Sequence, residues 1–165
     1  LNAVDLLSGL EIELREGFLL DNSMATTAVP GFFPPVDIGP YKLVDGGMLD
    51  DVPVKYLKES PAEVILAVDV HQHEVMANAA EEKFPYEHIP LPIPPFMQDF
   101  YRAEMIMTTT LIKIILEKYP PDILVQPKLP ADVSLFFGFL KVKEIIESGE
   151  QAMREKLPEL VGLIQ

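Results

Sequence analysis

SMATTAVPGFFPPVDIGPYKLVDGGMLDDVPV, residues 23–54, is the stretch around which the rest of the chain is read. Ser23 can cap a short helical turn, its hydroxyl accepting from the amides that follow, and Pro30 ends that turn. Gly31 and the run Phe32-Phe33-Pro34-Pro35 then predict a stiff, apolar, extended link, because each proline fixes its own φ and biases its predecessor. Tyr41-Lys42-Leu43-Val44 is short and partly β-branched, and reads as a strand. Asp45 falls at that strand's end, and Gly46-Gly47 permit a turn that residues with a Cβ would resist. Two residues without side chains beside a carboxylate leave space for another group to approach it.

On spacing alone, such an aspartate is a turn residue accepting amide hydrogen bonds. The whole stretch adds a second reading, because it resembles the patatin-like phospholipases, a family of serine lipid acyl hydrolases. The residues that carry the resemblance are Ala25, Thr26, Ala28, Pro30, Phe33, Pro34, Pro35, Leu43, Val44, Asp45, Gly46, Gly47 and Pro53. The resemblance implies that Asp45 is the acid of a Ser-Asp catalytic dyad, supported by the Gly46-Gly47 pair. Thr26 stands where the family has serine, and Asp51 where asparagine is common, which brings a second charge near the dyad. The resemblance also implies an α/β fold: part of a three-layer α/β/α hydrolase domain with a mainly parallel central sheet. Residues 1–165 are then the C-terminal portion of one such catalytic domain.

Upstream of the stretch, residues 1–20 read as a β-hairpin. Ala3 to Leu7 forms one strand, Ser8-Gly9 the turn, and Glu11-Ile12-Glu13-Leu14-Arg15 alternates as a half-exposed strand does. Asp5 is a turn residue in this reading. The chain opens without methionine, in what reads as a strand, and is expected to be the later part of a longer polypeptide. No Gly-x-Ser-x-Gly occurs in it. None of Ser8, Ser23, Ser60, Ser134 and Ser148 has the flanking glycines that let a nucleophile elbow turn sharply. The nucleophile is therefore expected upstream.

Downstream, Val54 to Ser60 reads as a short helix behind Pro53. Glu63 to Val70 is the clearest strand, apolar enough for a central position covered on both faces. His71 and His73 follow, two apart on one face; with Glu74 or His88 they could hold zinc, but no recurring ligand spacing supports it. The trio Asp45, Asp50 and Asp51 likewise lacks the alternating ligands of a calcium loop. Residues 85–95, rich in proline, read as a stiff linker, with a lid or lipid-facing edge as the sharper alternative. Met97 to Tyr119 carries apolar residues at three- and four-residue steps around most of its circumference and is read as a packed helix. Ile123 to Pro127 is a further strand, Asp132 to Leu140 a loop bearing Phe136, Phe137 and Phe139. A last helix runs from Lys141 to Leu157, expected to bury Val142, Ile145, Ile146, Gly149, Ala152 and Met153.

Composition narrows the partners. Thirteen basic against 26 acidic residues give a net charge of −13, which argues against nucleic acid and against electrostatic docking on anionic lipid. Transient membrane-surface contact would have to be apolar and local. No apolar run is long enough to span a bilayer, and a cytoplasmic or peripheral membrane location is favoured. Without cysteine there are no disulfides or thiolate metal sites, and no cofactor is expected.

Three functions fit. In the first, the parent polypeptide is a lipid acyl hydrolase cleaving phospholipids or related esters, to which this segment supplies Asp45 and, alone, is inactive and poorly soluble. Its partners are then the ester substrate and the missing N-terminal part of the domain. The second is an inactive scaffold kept as an interaction module. The third is a glycosidase pairing Asp45 with Asp50 or Asp51.

Overall fold

The computed structural model describes residues 1–71, 95–130 and 141–164. Strands Asn2–Asp5 (β1) and Glu11–Glu13 (β2) form the expected hairpin, with Ala3 opposite Ile12. Asp5 closes its turn: one carboxylate oxygen accepts from both the Ser8 amide and hydroxyl, at 3.0 and 2.7 Å. The other accepts from the Lys42 amide at 2.9 Å, which ties the hairpin to the next strand. The Ser8 hydroxyl and then the Lys42 amide hold the Asp5 carboxyl below its ordinary value. Asp5 is thus a turn residue, as its position suggested.

Helix Leu19–Thr26 (α1) begins four residues before Ser23, so Ser23 lies inside the helix and caps nothing. Gly17, at a φ of 101°, turns the chain into it, and the Asn22 side chain donates to the Glu16 carbonyl at 2.9 Å. Leu19-Leu20 extend the helix backward past the serine. Nor is the link after α1 extended throughout. The amides of Phe32 and Phe33 both reach the Val29 carbonyl, at 3.1 and 3.0 Å, because Gly31 at a φ of 86° lets the chain fold back.

Strands Val36–Ile38 (β3) and Tyr41–Asp45 (β4) pair across Gly39-Pro40 and complete a four-stranded sheet, order β2-β1-β4-β3, antiparallel throughout. The register sets Ala3 opposite Asp45 and Asp5 opposite Leu43. Leu43 and Asp45, two apart, therefore share a face. On that face Ala25 of α1 packs with Ala3 and Leu43, flanked by Ile12, Val36 and Ile38.

A second sheet pairs Leu66–Val68 (β5) with Ile123–Val125 (β6) in parallel. Parallel neighbours need a long crossover, and helix Pro95–Lys118 (α3) lies between them in the chain; the short helix Val54–Lys58 (α2) precedes β5. Val52, Val54, Ile65, Ala67 and Ile112 form the core here, with Leu116 and Leu124 against it. β5 is three residues rather than eight. Among the described residues it pairs with β6 alone, and Val68 is half exposed, so two-sided cover is not seen there.

The last helix, Val142–Leu163 (α4), runs past the expected end and contains Pro158. It has no buried residue; Ile145, Gly149, Ala152 and Met153 are half-buried, whereas Val142 and Ile146 are exposed. The broad stripe of α3 is likewise only partly covered: Ile112 and Thr108 are buried while Phe100, Ile106, Met107 and Ile114 are exposed. The expected lid or linker at 85–94, the phenylalanine loop, His73, Glu74 and His88 lie outside the described residues.

Candidate active site

Asp45 is the last residue of β4, and Gly46–Met48 continue as one tight helical turn. The Asp45 amide donates to the Ala28 carbonyl at 3.1 Å, which pins the strand end to the loop after α1. Its carboxylate oxygen Oδ1 accepts from the Gly47 amide at 2.8 Å. Among the described residues, Oδ2 takes no hydrogen bond. The side chain is half-buried, not sealed in. Burial pushes the carboxyl above its ordinary value; the Gly47 amide opposes this and the neighbouring Asp51 charge adds to it.

Neither glycine of the pair has positive φ; both are required by space. A Cβ on Gly46 would lie 2.6 Å from the Asn2 carbonyl oxygen. One on Gly47 would lie 2.4 Å from Asp51 Oδ1 and 3.2 Å from Asp45 Oδ1. The hollow over Gly47 is therefore not open space, as the sequence suggested. It is filled by the Asp51 carboxylate.

Asp50 and Asp51, adjacent in sequence, have different partners. Asp50 is 1% exposed, with Oδ2 3.2 Å from Lys55 Nζ. Lys55 is also paired with Glu11 Oε2. Asn2 Nδ2 donates to the Asp50 carbonyl at 2.6 Å and to Glu11 Oε1 at 3.1 Å. Burial pushes the Asp50 carboxyl up, against the pull of Lys55. The Asp50 carboxylate is thus committed to Lys55 in the interior. Thr26 belongs to the same framework: its hydroxyl donates to the Asn2 carbonyl at 2.6 Å, a bond that serine could also make.

Asp51 instead meets His71, whose Nε2 is 2.9 Å from Asp51 Oδ2. The other ring nitrogen, Nδ1, is 3.1 Å from Oδ1 of fully buried Asp69. Asp69 Oδ1 also accepts the His71 amide at 3.0 Å, and Oδ2 accepts from Gln126 Nε2 at 3.0 Å. With a carboxylate at each nitrogen the ring is doubly protonated. Burial disfavours that charge, but the bonds to Asp51 and Asp69 prevail and raise the His71 pKa to about 9. Glu104 of α3 faces the same group: burial raises its carboxyl, the Asp45 and Asp51 charges add to this, and Thr108 and His71 oppose it.

His71 thus stands between two carboxylates; His73, Glu74 and His88, the other residues of the zinc reading, lie outside the described residues. Among the described residues, no group of three or more histidine and acidic side chains is placed to hold a metal ion. Nor is any described helix long and apolar enough to cross a membrane. The sequence reading passed over Asp69 and Glu104. Each had a signal, an acid closing an apolar strand and a lone carboxylate in an apolar turn of helix.

The comparisons fall mainly on the first third of the chain. Residues 3–58 match the family model described as Patatin-like phospholipase. Lysophospholipase NTE1 of Debaryomyces hansenii is 44% identical over 56 residues, 34% of this chain and 4% of that protein. Uncharacterized NTE family proteins of Mycobacterium bovis and Mycobacterium tuberculosis are 30% identical over 70 residues, 42% of this chain and 12% of theirs. The chain therefore spans a small fraction of the length of these relatives. Residues 3–58, with Asp45, Gly46 and Gly47 among them, are thus the part of the chain that is similar to the patatin-like phospholipases.

Proposed function

We propose that residues 1–165 are the C-terminal portion of a patatin-like α/β/α catalytic domain that hydrolyses phospholipid or lysophospholipid esters, with Asp45 as its base. A serine hydroxyl is too weakly acidic to attack an ester unaided. In this reading Asp45 takes the hydroxyl proton as the serine oxygen bonds to the ester carbonyl carbon. The proton then passes to the departing alcohol, and Asp45 deprotonates the water that releases the fatty acid. The serine and the oxyanion donors belong to polypeptide outside these residues. A lipid ester is the substrate class of the family and of the relative named a lysophospholipase.

The observation that carries the reading is the state of Asp45. It is fixed through its backbone to Ala28 and through Oδ1 to Gly47, while among the described residues Oδ2 takes no hydrogen bond. Burial makes it more basic than an ordinary aspartate, as a general base requires. The test is hydrolysis of a lysophospholipid by the full-length polypeptide and by its Asp45→Asn variant. The variant should retain the fold by circular dichroism and lose about 1,000-fold in kcat, in the range of general-base catalysis. Equal turnover by the two would remove Asp45 from the mechanism. No turnover by either, with the upstream serine missing, would favour the inactive scaffold.

A further inference from the structure

The glycine-paired turn holds two acids on one side, Asp45 and Asp51, and two like charges so close oppose each other's ionisation. The hollow over Gly47 brings them together, since its missing Cβ is within 3.2 Å of an oxygen of each. The cation that answers Asp51 comes from just beyond β5, twenty residues later, and is oriented by Asp69 at 0% exposure.

We propose that His71 is a positioning residue of this site: its imidazolium, fixed by Asp69, clamps Asp51 in the Gly47 hollow and cancels that charge beside Asp45. The inference rests on the reading of Asp45 as a base, and says how its ionisation is protected. Asp69 is the orienting partner, because it accepts both the ring Nδ1 and the backbone amide of His71 and so fixes the ring's direction. A neutral ring could donate at one nitrogen only and would release one of the two carboxylates. The charged group acting on Asp45 is Asp51, and Glu104 of α3 in turn feels Asp45, Asp51 and His71.

Carboxyl-carbon NMR on the full-length polypeptide, with labelled aspartate and histidine, reads this without turnover. The Asp45 resonance is identified by its loss in Asp45→Asn. In the unmodified protein His71 should stay doubly protonated past pH 8. His71→Gln should move the Asp45 midpoint upward by about 0.5–1 pH unit, the size of a newly uncompensated, partly screened neighbour charge. Asp51→Asn should move it downward, and adding His71→Gln to Asp51→Asn should then change little. A His71 that titrates near 6.5, or an Asp45 midpoint indifferent to Asp51→Asn, overturns the proposal whether or not His71→Gln folds. If the shifts appear but the polypeptide hydrolyses no lipid ester, the clamp stands and the reading of Asp45 as a base falls.

Discussion

Two acid–cation–acid clusters flank the turn from Gly46 to Asp51, and they differ in what their cation can do. On one side Lys55 lies between Glu11 and Asp50. On the other, His71 lies between Asp69 and Asp51. The first joins elements of residues 2–58 to one another and rests on a group that stays charged at any ordinary pH; its flanking acids push the Lys55 ammonium higher still. The second joins that segment to the residues just after β5 and rests on a ring whose proton can leave. The molecule thus secures its frame with a permanent charge and its corner beside Asp45 with a removable one.

The largest way to break this comparison is Lys55→Met. It would strand the buried Asp50 carboxylate, and the expected loss is about 3 kcal/mol of stability, at the low end for an orphaned buried charge because Lys55 is partly exposed. Urea unfolding at pH 7 measures it; a loss comparable to that of an exposed pair would make the two clusters equivalent. Next is pH. The folded His71 pKa is raised from 6.5 to about 9, so its stabilisation is complete below pH 6.5 and declines as pH rises through 9. Unfolding free energy should fall by roughly 2 kcal/mol across that window, allowing for partial exposure, and the fall should vanish in His71→Gln but persist in Lys55→Met. The smallest and sharpest change is Gly47→Ala. Its methyl must displace Asp51, at a cost of about 1 kcal/mol. It should weaken the pH dependence without abolishing it as His71→Gln does, because the pair with Asp69 remains. A thermal melt series from pH 6 to 10 would detect a failure to do so.

The sequence announced the hairpin, the β4 strand, the glycine turn and the long helix, because each depends on local signals: alternation, a turn residue, an apolar period. It also located Asp45 at a strand end. β3 was missed although Gly39-Pro40 marks a hairpin turn, and Gly31 was read as stiffening a link that it bends. What no local pattern could supply was partnership. Nothing in the dipeptide Asp50-Asp51 says that one residue is bound to Lys55 and the other to His71, since that depends on how β5 docks beside the turn. The same limit explains the last helix, where an amphipathic pattern predicted burial that only a facing surface can provide.

Asn2 has a practical consequence for anyone trimming this polypeptide. The family match begins at residue 3, yet the side chain just ahead of it bonds the Asp50 carbonyl and its own carbonyl receives the Thr26 hydroxyl. A boundary drawn by alignment would cut away a peg that joins strand, helix and glycine-turn backbone. Cloning limits should therefore retain Leu1 and Asn2.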